Sequence, residues 1–350
     1  MKIKLNFTPL LGFIIGIIIS SFLVLLFKEN PAQVLKVLSG SFLQSKFDFG
    51  LTLFYTTCFI FSGLAFSIPF RTGLFHIGTE GQLVISAMVA SVLGQYNYGS
   101  DFVGIIIIIC GTLLSGFITS ILISWFKVYK ESHEVVVAIM LNFIWTALAS
   151  FVALKFFQNP DSQNPESALI KANFQFLKLD PIKIYFDNSA VSSFLIIAIF
   201  CCFVIWFFET KTKWGWQLNA FGQNPSAAER MGISKKKMYF ISFGLAGFFS
   251  ALIGLTEVLG SSFQYKVGFS PAYGFLGIVV ALLAQGHPIG MIFSSFVLAV
   301  LHKGASDLDL ETQFLTRDFS KVLQSLIIFC VASATYINFR RQHSKGSKWN

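Results

Sequence analysis

The chain has 350 residues, of which 54% are apolar, 16% aromatic and only 12% charged, and its mean hydropathy is +0.68. An ordinary soluble domain carries about 25% charged residues, so this composition excludes a soluble fold of this length. The net charge of +9 would suggest nucleic-acid binding in a soluble protein, whereas here it bears on which loops face the cytoplasm.

Apolar runs of about 20 residues recur along the whole chain, and such a run is long enough to cross a bilayer as a helix. We therefore predict an all-α integral membrane protein that forms one domain over residues 1–350. About ten membrane-spanning helices are predicted, near residues 8–27, 51–70, 77–96, 102–126, 135–155, 189–208, 239–260, 273–287, 288–304 and 319–338. The third, eighth and ninth are short and contain glycine or proline, which predicts interrupted helices near the membrane midplane.

The charged residues predict how the spans are oriented. Lys2 and Lys4 precede the first apolar run and no small-residue cleavage site follows it, so this run is predicted to remain as a span. With the N-terminus in the cytoplasm, ten spans place the C-terminus there as well. The inner segments then carry 15 basic and five acidic side chains, whereas the outer segments carry 11 of each, as expected for cytoplasmic loops rich in Lys and Arg. Residues 209–238 become a cytoplasmic segment and residues 156–188 an extracytoplasmic loop.

The cytoplasmic segment contains NPSAAERMG, residues 224–232, which has the signals of one short helix. Asn224 is suited to cap its start, Pro225 to occupy the first helical position, and Gly232 to take the left-handed conformation after its end. The positions between them hold good helix formers: Ala227, Ala228, Glu229, Arg230 and Met231. The residues alone leave two interpretations open, a solvated loop helix or a docking element on which two small alanines allow a partner to approach closely.

A glycine-interrupted stretch, residues 68–86, carries several polar side chains in apolar surroundings: Arg71, His76, Glu80 and Gln82. Ionisable groups at membrane depth usually face a partner or a cavity. The stretch predicts either a binding site built on an interrupted helix or an inner-surface turn in which Arg71 pairs with Glu80.

Three further features lie in other apolar runs. Glu257 stands near the outer end of its span, either as a snorkelling carboxylate or as a hydrogen-bond acceptor that lines a cavity. Residues 268–290 are also interrupted by glycine and stand in the second half of the chain as 68–86 stands in the first, and paired short segments of this kind indicate a transporter site. Asn142 is a lone amide that either bonds to a neighbouring helix or lines a path.

Motifs of several other function classes are missing from the sequence. It contains no GxxxxGK[ST] nucleotide-binding loop, no HExxH, no CxxC and no GxSxG, so neither an ATPase nor a membrane-embedded hydrolase is predicted. An ion-coupled secondary transporter is a more distant alternative. It would need carboxylates deep in the bundle, for which Glu257 is the one well-placed candidate, and it has no use for a separate cytoplasmic helix.

Four motifs, in order along the chain, together resemble one family. FRTGLFHIGTEGQ (70–82) resembles the FRxGLFNIGxEGQ signature of permease subunits of the simple-sugar and nucleoside type of ABC importers. HEVVVAIMLNFI (133–144), FGQNPSAAERMGI (221–233) and GFLGIVVALLAQGHPIG (274–290) resemble that family's NEVIxTIMLNYI, GxNPxAAxxAGI and GFxGIAVALLGxxxPxG. The resemblance covers roughly residues 55–300.

The resemblance implies an all-helical permease of the bacterial cytoplasmic membrane that binds no cofactor and performs no covalent chemistry. The implied partners are a second permease subunit, expected to be a different chain, a cytoplasmic ABC ATPase that uses ATP and Mg, and an extracytoplasmic substrate-binding lipoprotein. The segment Asn224–Gly232 then corresponds to the coupling helix that docks on the ATPase. The coupling residues implied are Asn224, Pro225, Ala227, Ala228, Glu229 and Gly232. The residues implied to lie along the substrate path are Phe75, His76, Glu80, Gln82, Asn142, Glu257 and Phe275.

The resemblance also predicts purine nucleosides as the substrates, moved inward by alternating access, because the most similar motifs belong to nucleoside permeases. A simple sugar such as ribose or galactose is the second alternative and riboflavin the third. His76 departs from the family, which usually has Asn at this position. His keeps a donor and an acceptor but is larger and can charge near neutrality, so a different substrate preference is expected if this position touches substrate.

Overall fold

The computed structural model describes residues 8–26 and 29–311, together with individual positions between 319 and 334. Within these ranges the chain forms thirteen α-helices: α1 (Thr8–Leu26), α2 (Pro31–Gly40), α3 (Lys46–Arg71), α4 (Thr79–Leu93), α5 (Asp101–Tyr129), α6 (Glu134–Phe156), α7 (Pro181–Tyr185), α8 (Phe194–Lys211), α9 (Lys213–Gln223), α10 (Pro225–Arg230), α11 (Lys235–Leu255), α12 (Tyr273–Leu283) and α13 (Pro288–Glu311). In this part of the chain, extended backbone pairs only at two isolated bridges.

Nine of the ten predicted spans coincide with helices in the described ranges. Six of these helices are long and apolar enough to cross a membrane: α3, α5, α6, α8, α11 with its extension to Ser262, and α13. The apolar parts of α1, α4 and α12 are shorter. The tenth predicted span, 319–338, lies largely outside the described residues, as do the basic residues at the two ends of the chain.

One prediction about the spans is wrong. The ninth span was expected to be short and broken, but α13 runs without interruption from Pro288 to Glu311. Pro288 occupies the first helical position, where a missing N–H has no intrahelical partner to lose. The proline therefore starts this helix instead of breaking it.

The prediction missed α2, α9 and the five-residue helix α7. α2 starts with Asn30, whose Oδ1 accepts a hydrogen bond from the N–H of Ala32 at 2.9 Å. α9 starts with Thr212, whose Oγ1 accepts from the N–H of Gly215 at 3.1 Å. Both helices are amphipathic and too short to span a bilayer, so a search for long apolar runs passes over them.

The helices α3 and α11 form the centre of the bundle. In their apolar windows 83% and 78% of the residues are buried, against 28%, 17% and 22% for α5, α6 and α8. Ser120 and Ser124 of α5 donate hydrogen bonds to the carbonyl oxygens of Phe243 and Tyr239 of α11, at 2.5 and 3.2 Å. Polar contacts therefore face inward, and the outer helices present apolar faces of the kind that lipid covers in a bilayer.

Candidate functional site

Two of the short helices begin inside the membrane and not at its surface. Gln82, in the first turn of α4, accepts a hydrogen bond from Ser250 Oγ at 3.0 Å. Ser250 lies eleven residues after Tyr239, where the apolar part of α11 begins, which corresponds to about 16 Å along the helix axis in a hydrocarbon core about 30 Å thick. The start of α4 therefore lies near mid-depth. α12 begins beside it, where Gly274 contacts Glu80.

Glu80 of α4 caps α12 from outside that helix. Its Oε2 accepts a hydrogen bond from the backbone N–H of Gly274 at 2.7 Å. The residue before α12, Ala272, is in the left-handed conformation with φ of 70° and offers no side-chain cap of its own. A carboxylate at this position is favoured by the positive end of the helix dipole. Ser62 of α3 also binds the start of α12, because its Oγ donates a hydrogen bond to the carbonyl oxygen of Tyr273 at 2.6 Å.

Asn142 of α6 caps the start of α4 in the same manner. Its Oδ1 accepts from the N–H of Gly81 and its Nδ2 donates to the carbonyl oxygen of Ile77, each at 2.9 Å. The approach is so close that a Cβ at Gly81 would lie 2.6 Å from the Cα of Asn142, which requires glycine there. Asn142 therefore satisfies backbone groups on both sides of the start of α4, as the interhelical alternative predicted.

His76 and Gln82 form a buried polar pair at the same level. His76 Nε2 lies 3.3 Å from Gln82 Oε1, the atom that also accepts from Ser250. The imidazole packs edge-on against Phe243 of α11, with the ring centroids 5.0 Å apart. The structure thus brings together three of the predicted path residues, His76, Glu80 and Gln82, at the interrupted start of α4.

Glu257 lies in a π-helical turn, Thr256–Ser262, by which α11 continues. Only 9% of its surface is exposed. A snorkelling side chain keeps its charged end in water, so burial favours the other alternative, a hydrogen-bond acceptor inside the bundle. Turns of this kind recur at functional sites.

Phe75 and Phe275 lie beside the two interruptions and are partly exposed, at 36% and 43% of their surface. The ring of Phe75 packs edge-on against Phe66 of α3, with the centroids 5.1 Å apart. Each is the residue next to a polar contact of the site, since Phe75 precedes His76 and Phe275 follows Gly274.

The proposed pairing of Arg71 with Glu80 is wrong. Arg71, at the end of α3, forms an ion pair with Glu209 of α8, its Nε lying 2.8 Å from Glu209 Oε1. Its Nη2 donates to the carbonyl oxygen of Gly286 at 2.5 Å. The two predicted partners lie at different depths, because the chain turns back into the bundle between Arg71 and Glu80. Arg71 instead ties the inner ends of α3, α8 and the α12–α13 turn together.

The predicted cytoplasmic helix is present as α10, with the expected signals at both ends. Asn224 Oδ1 accepts from the N–H of Ala227 at 3.0 Å, and Pro225 is the first helical residue. Gly232 follows the helix with φ of 85°, and the N–H of Ile233 bonds to the carbonyl oxygen of Ala228 at 3.0 Å. The short-range signals were sufficient here because all of these contacts lie within ten consecutive residues.

The two alanines of α10 differ in exposure. Ala227 is exposed, whereas Ala228 is fully buried in an apolar cluster that also contains Leu74, Phe221 and Ile233. Leu74 belongs to the interruption between α3 and α4. α10 and the segment that leads to Glu80 therefore contribute side chains to the same buried apolar cluster.

The loop of residues 156–188, predicted to be extracytoplasmic, is fastened to the segment between α11 and α12. The N–H of Ser167 bonds to the carbonyl oxygen of Tyr265 at 2.8 Å, and that of Ile170 to the carbonyl oxygen of Phe263 at 2.9 Å. Lys183 Nζ donates to the carbonyl oxygen of Gly260 at 3.0 Å. Burial lowers the pKa of Lys183, because a charged amine loses hydration there. The outer loop thus holds the chain that descends to the start of α12.

Sequence reasoning missed Ser62 and Ser250, which bind the starts of α12 and α4. Each is a small hydroxyl in a long apolar helix, and serine is so common in membrane helices that its presence carries little signal. These two serines differ from others in having a hydrogen-bond partner on a neighbouring helix, Tyr273 for Ser62 and Gln82 for Ser250. Such a partner is known only from the fold.

Within its described ranges, the chain is thus a multi-pass helical membrane protein in which two short helices begin together at mid-depth, an arrangement typical of transport proteins. The chain belongs to the family described as the branched-chain amino acid transport system / permease component, which matches residues 48–332. This agrees with the family predicted from the four motifs.

Relatives of known function are similar over nearly the whole chain. The guanosine ABC transporter permease protein NupP of Bacillus subtilis is 31% identical over 340 residues, which is 95% of this chain and 94% of that protein. The nucleoside ABC transporter permease protein NupB of Lactococcus lactis is 30% identical over 362 residues, 99% of this chain and 96% of that protein. The glucose ABC transporter permease protein TsgB13 of Haloferax volcanii is 25% identical over 342 residues, 95% of this chain and 89% of that protein.

Proposed function

We propose that this chain is the membrane-spanning permease subunit of an ABC importer in the bacterial cytoplasmic membrane, and that it moves purine nucleosides inward. The observation that carries the transport role is the meeting of α4 and α12 at mid-depth through Glu80 and Gly274. The nucleoside substrate is supported by the two relatives that are at least 30% identical, both of which carry nucleoside or guanosine transport in their names.

The substrate passes the junction of the two short helices by alternating access. The proposed path residues are Phe75, His76, Glu80, Gln82, Asn142, Glu257 and Phe275. His76 and Gln82 bind each other, and Glu80 and Asn142 bind backbone groups at the interruption. These residues set the shape and the polarity of the junction and perform no covalent chemistry. A broken helix at this depth is stable only beside protein or water, which fits a path that opens there.

The energy comes from a partner, a cytoplasmic ABC ATPase that uses ATP and Mg. It docks on the coupling segment 209–238, through Asn224, Pro225, Ala227, Ala228, Glu229 and Gly232. The exposed side of α10 carries Ala227, and the exposed Met231 follows the helix, whereas its buried side carries Ala228 in the cluster with Leu74. A displacement of α10 would therefore reach the start of α4 through packed side chains.

Two other partners complete the importer. A second permease subunit, a different chain, forms the other wall of the path, and an extracytoplasmic binding lipoprotein delivers substrate to the loop 156–188. Sugar import is the second candidate, favoured by the relative named for glucose at 25% identity.

The transport class is tested by reconstituting the purified complex in vesicles and measuring guanosine uptake with and without ATP. We expect uptake only when ATP reaches the ATPase, and co-purification of that ATPase with this chain. Uptake that follows a proton or sodium gradient without ATP would assign the chain to the secondary transporters instead.

A further inference from the structure

One face of α5 changes from aliphatic to aromatic side chains toward the inner end of the helix. Leu114, Ile118, Trp125 and Tyr129 are exposed at 56%, 57%, 39% and 55% of their surface. Their spacings of four, seven and four residues keep them on one face of a helix with 3.6 residues per turn. Aliphatic side chains meet the hydrocarbon of a bilayer, whereas Trp and Tyr collect at the level of the lipid headgroups. The order along this face is therefore that of a helix in contact with lipid.

Two lysines from different helices lie over the aromatic end of this face. The rings of Trp125 and Tyr129 are neighbours, with centroids 6.2 Å apart. Lys130 Nζ lies 5.9 Å from the centroid of the Trp125 ring, and Lys236 Nζ, from the first turn of α11, lies 5.0 Å from that of Tyr129. At these distances an ammonium group is attracted to the face of the ring. The two rings thus hold two cations where the inner ends of α5 and α11 meet.

The positive charge around these rings exceeds the negative charge. Lys127 is compensated, because its Nζ lies 2.6 Å from Glu134 Oε2. The remaining exposed charges in the inner segments 130–133 and 229–237 are five basic residues against two acidic ones: Lys130, Arg230, Lys235, Lys236 and Lys237 against Glu131 and Glu229. Within the described ranges none of these seven forms an ion pair. An anionic partner would therefore find cations that no side chain of the described residues neutralises.

We propose that this lysine–aromatic surface, formed by Trp125, Tyr129, Lys130 and Lys236, binds the headgroups of anionic phospholipids in the inner leaflet. Basic side chains directly inside a membrane helix attract anionic lipid, and the two rings place the lysines at headgroup level. The partner of similar charge from another class is an acidic face of the ATPase. Lipid is favoured because the rings continue an exposed apolar face at membrane depth, which a cytoplasmic protein does not reach.

The test is a lipid titration of this chain, purified in a neutral detergent with the subunits that co-purify with it and then stripped of lipid. Phosphatidylglycerol or phosphatidylcholine is added and the thermal midpoint is measured. A lipid that binds the folded protein raises this midpoint by mass action. We expect phosphatidylglycerol to reach half of its effect at a concentration about tenfold lower than phosphatidylcholine. An equal response to the two lipids would overturn the proposal.

A matched pair of double variants assigns the effect to this surface. Lys130→Gln with Lys236→Gln removes two exposed charges and should raise the phosphatidylglycerol concentration for half effect about fivefold. Lys46→Gln with Lys178→Gln is the control on the predicted extracytoplasmic side. It also removes two exposed lysines, whose nitrogens lie 5.4 and 5.2 Å from aromatic ring centroids, and it should change that concentration little. Because all four side chains are exposed, we expect both variants to fold.

An equal response of the two double variants to phosphatidylglycerol would overturn the lipid surface. If Lys130→Gln with Lys236→Gln keeps the full lipid response but loses the co-purifying ATPase, the lysines belong to the ATPase contact and the proposal is wrong. The titration measures binding without transport, so its outcome does not depend on the substrate or on the proposed import function.

Discussion

Glu80 and Gly274 are 194 residues apart in sequence, and a hydrogen bond of 2.7 Å joins them near the middle of the bilayer. Each belongs to the first turn of a short helix. α4 leads from this point toward the outer surface and α12 toward the inner one, in the predicted orientation. A substrate that crosses the protein at this level has to pass a junction held by one carboxylate and one backbone N–H.

The first prediction concerns this bond. Glu80→Leu leaves the N–H of Gly274 buried without a partner, which costs about 1–3 kcal/mol. We expect guanosine uptake to fall at least tenfold and the thermal midpoint of the complex to decrease. Glu80→Gln keeps a carbonyl acceptor at the same reach, so it should stay within a few fold of the unmodified protein. Equal loss in both variants would show that the charge, and not the cap, is what matters.

The second prediction concerns the cap on α4. Asn142→Leu removes the partners of two buried backbone groups, the N–H of Gly81 and the carbonyl of Ile77, at a cost of about 2–6 kcal/mol. We expect a clear drop in the thermal midpoint of the purified chain. Phe143→Leu is the control, because this neighbouring side chain is exposed on the outside of α6 and should change little. An unchanged midpoint in Asn142→Leu would contradict the capping role.

The third prediction separates docking from folding on α10. Ala227 is exposed, so Ala227→Arg should leave the amount of chain in the membrane unchanged but abolish co-purification of the ATPase and ATP-driven uptake. Gln163→Arg, an equally exposed change in the extracytoplasmic loop, is the control and should keep the ATPase bound. Normal ATPase binding by Ala227→Arg would remove α10 as the docking element.

The buried alanine next to it should behave differently. Ala228→Arg places a charge in the apolar cluster around Leu74 and Phe221, where an unpaired ion is strongly destabilising. We expect reduced amounts of the chain in the membrane, measured by quantitative immunoblotting, in addition to lost uptake. A normal amount of Ala228→Arg in the membrane would mean that Ala228 is not buried in the cluster with Leu74 and Phe221.

The fourth prediction concerns Lys183 in the outer loop. Burial lowers its pKa in the folded protein below the ordinary value of 10.5, so the unfolded chain binds more protons in the window just below pH 10.5. Stability contributed by this group therefore rises as the pH rises through that window. Between pH 8 and pH 10.5, we expect the thermal midpoint of the unmodified chain to rise with pH relative to that of Lys183→Met. A parallel pH dependence in both would contradict the shift.

The sequence predicts most strongly where the signal is local. The caps of α10, Asn224 and Gly232, follow from residue types within nine positions, and the spans follow from runs of apolar residues. Paired interruptions could be predicted as well, since glycines and polar residues cluster at 68–86 and 268–290. The helices α2 and α9 were missed because they are short and amphipathic.

Contacts between distant segments are what the sequence could not supply. The pairing of Arg71 with Glu80 looked reasonable because nine residues separate them, yet the chain turns inward between them and each finds a partner on another helix. The burial of Ala228 could not be predicted from the sequence either, because it depends on where Leu74 lies in the fold. The depth of a residue in the membrane and the partner of its side chain on a neighbouring helix are set only when the helices pack together.

The central claim, nucleoside import, is tested most directly by uptake of labelled guanosine in host cells with and without this gene, in the presence of excess ribose, galactose or riboflavin. We predict that deletion abolishes guanosine uptake and that none of the three competes in cells that retain the gene. Unchanged guanosine uptake on deletion, in cells that express the gene and have no second route, would contradict the nucleoside assignment.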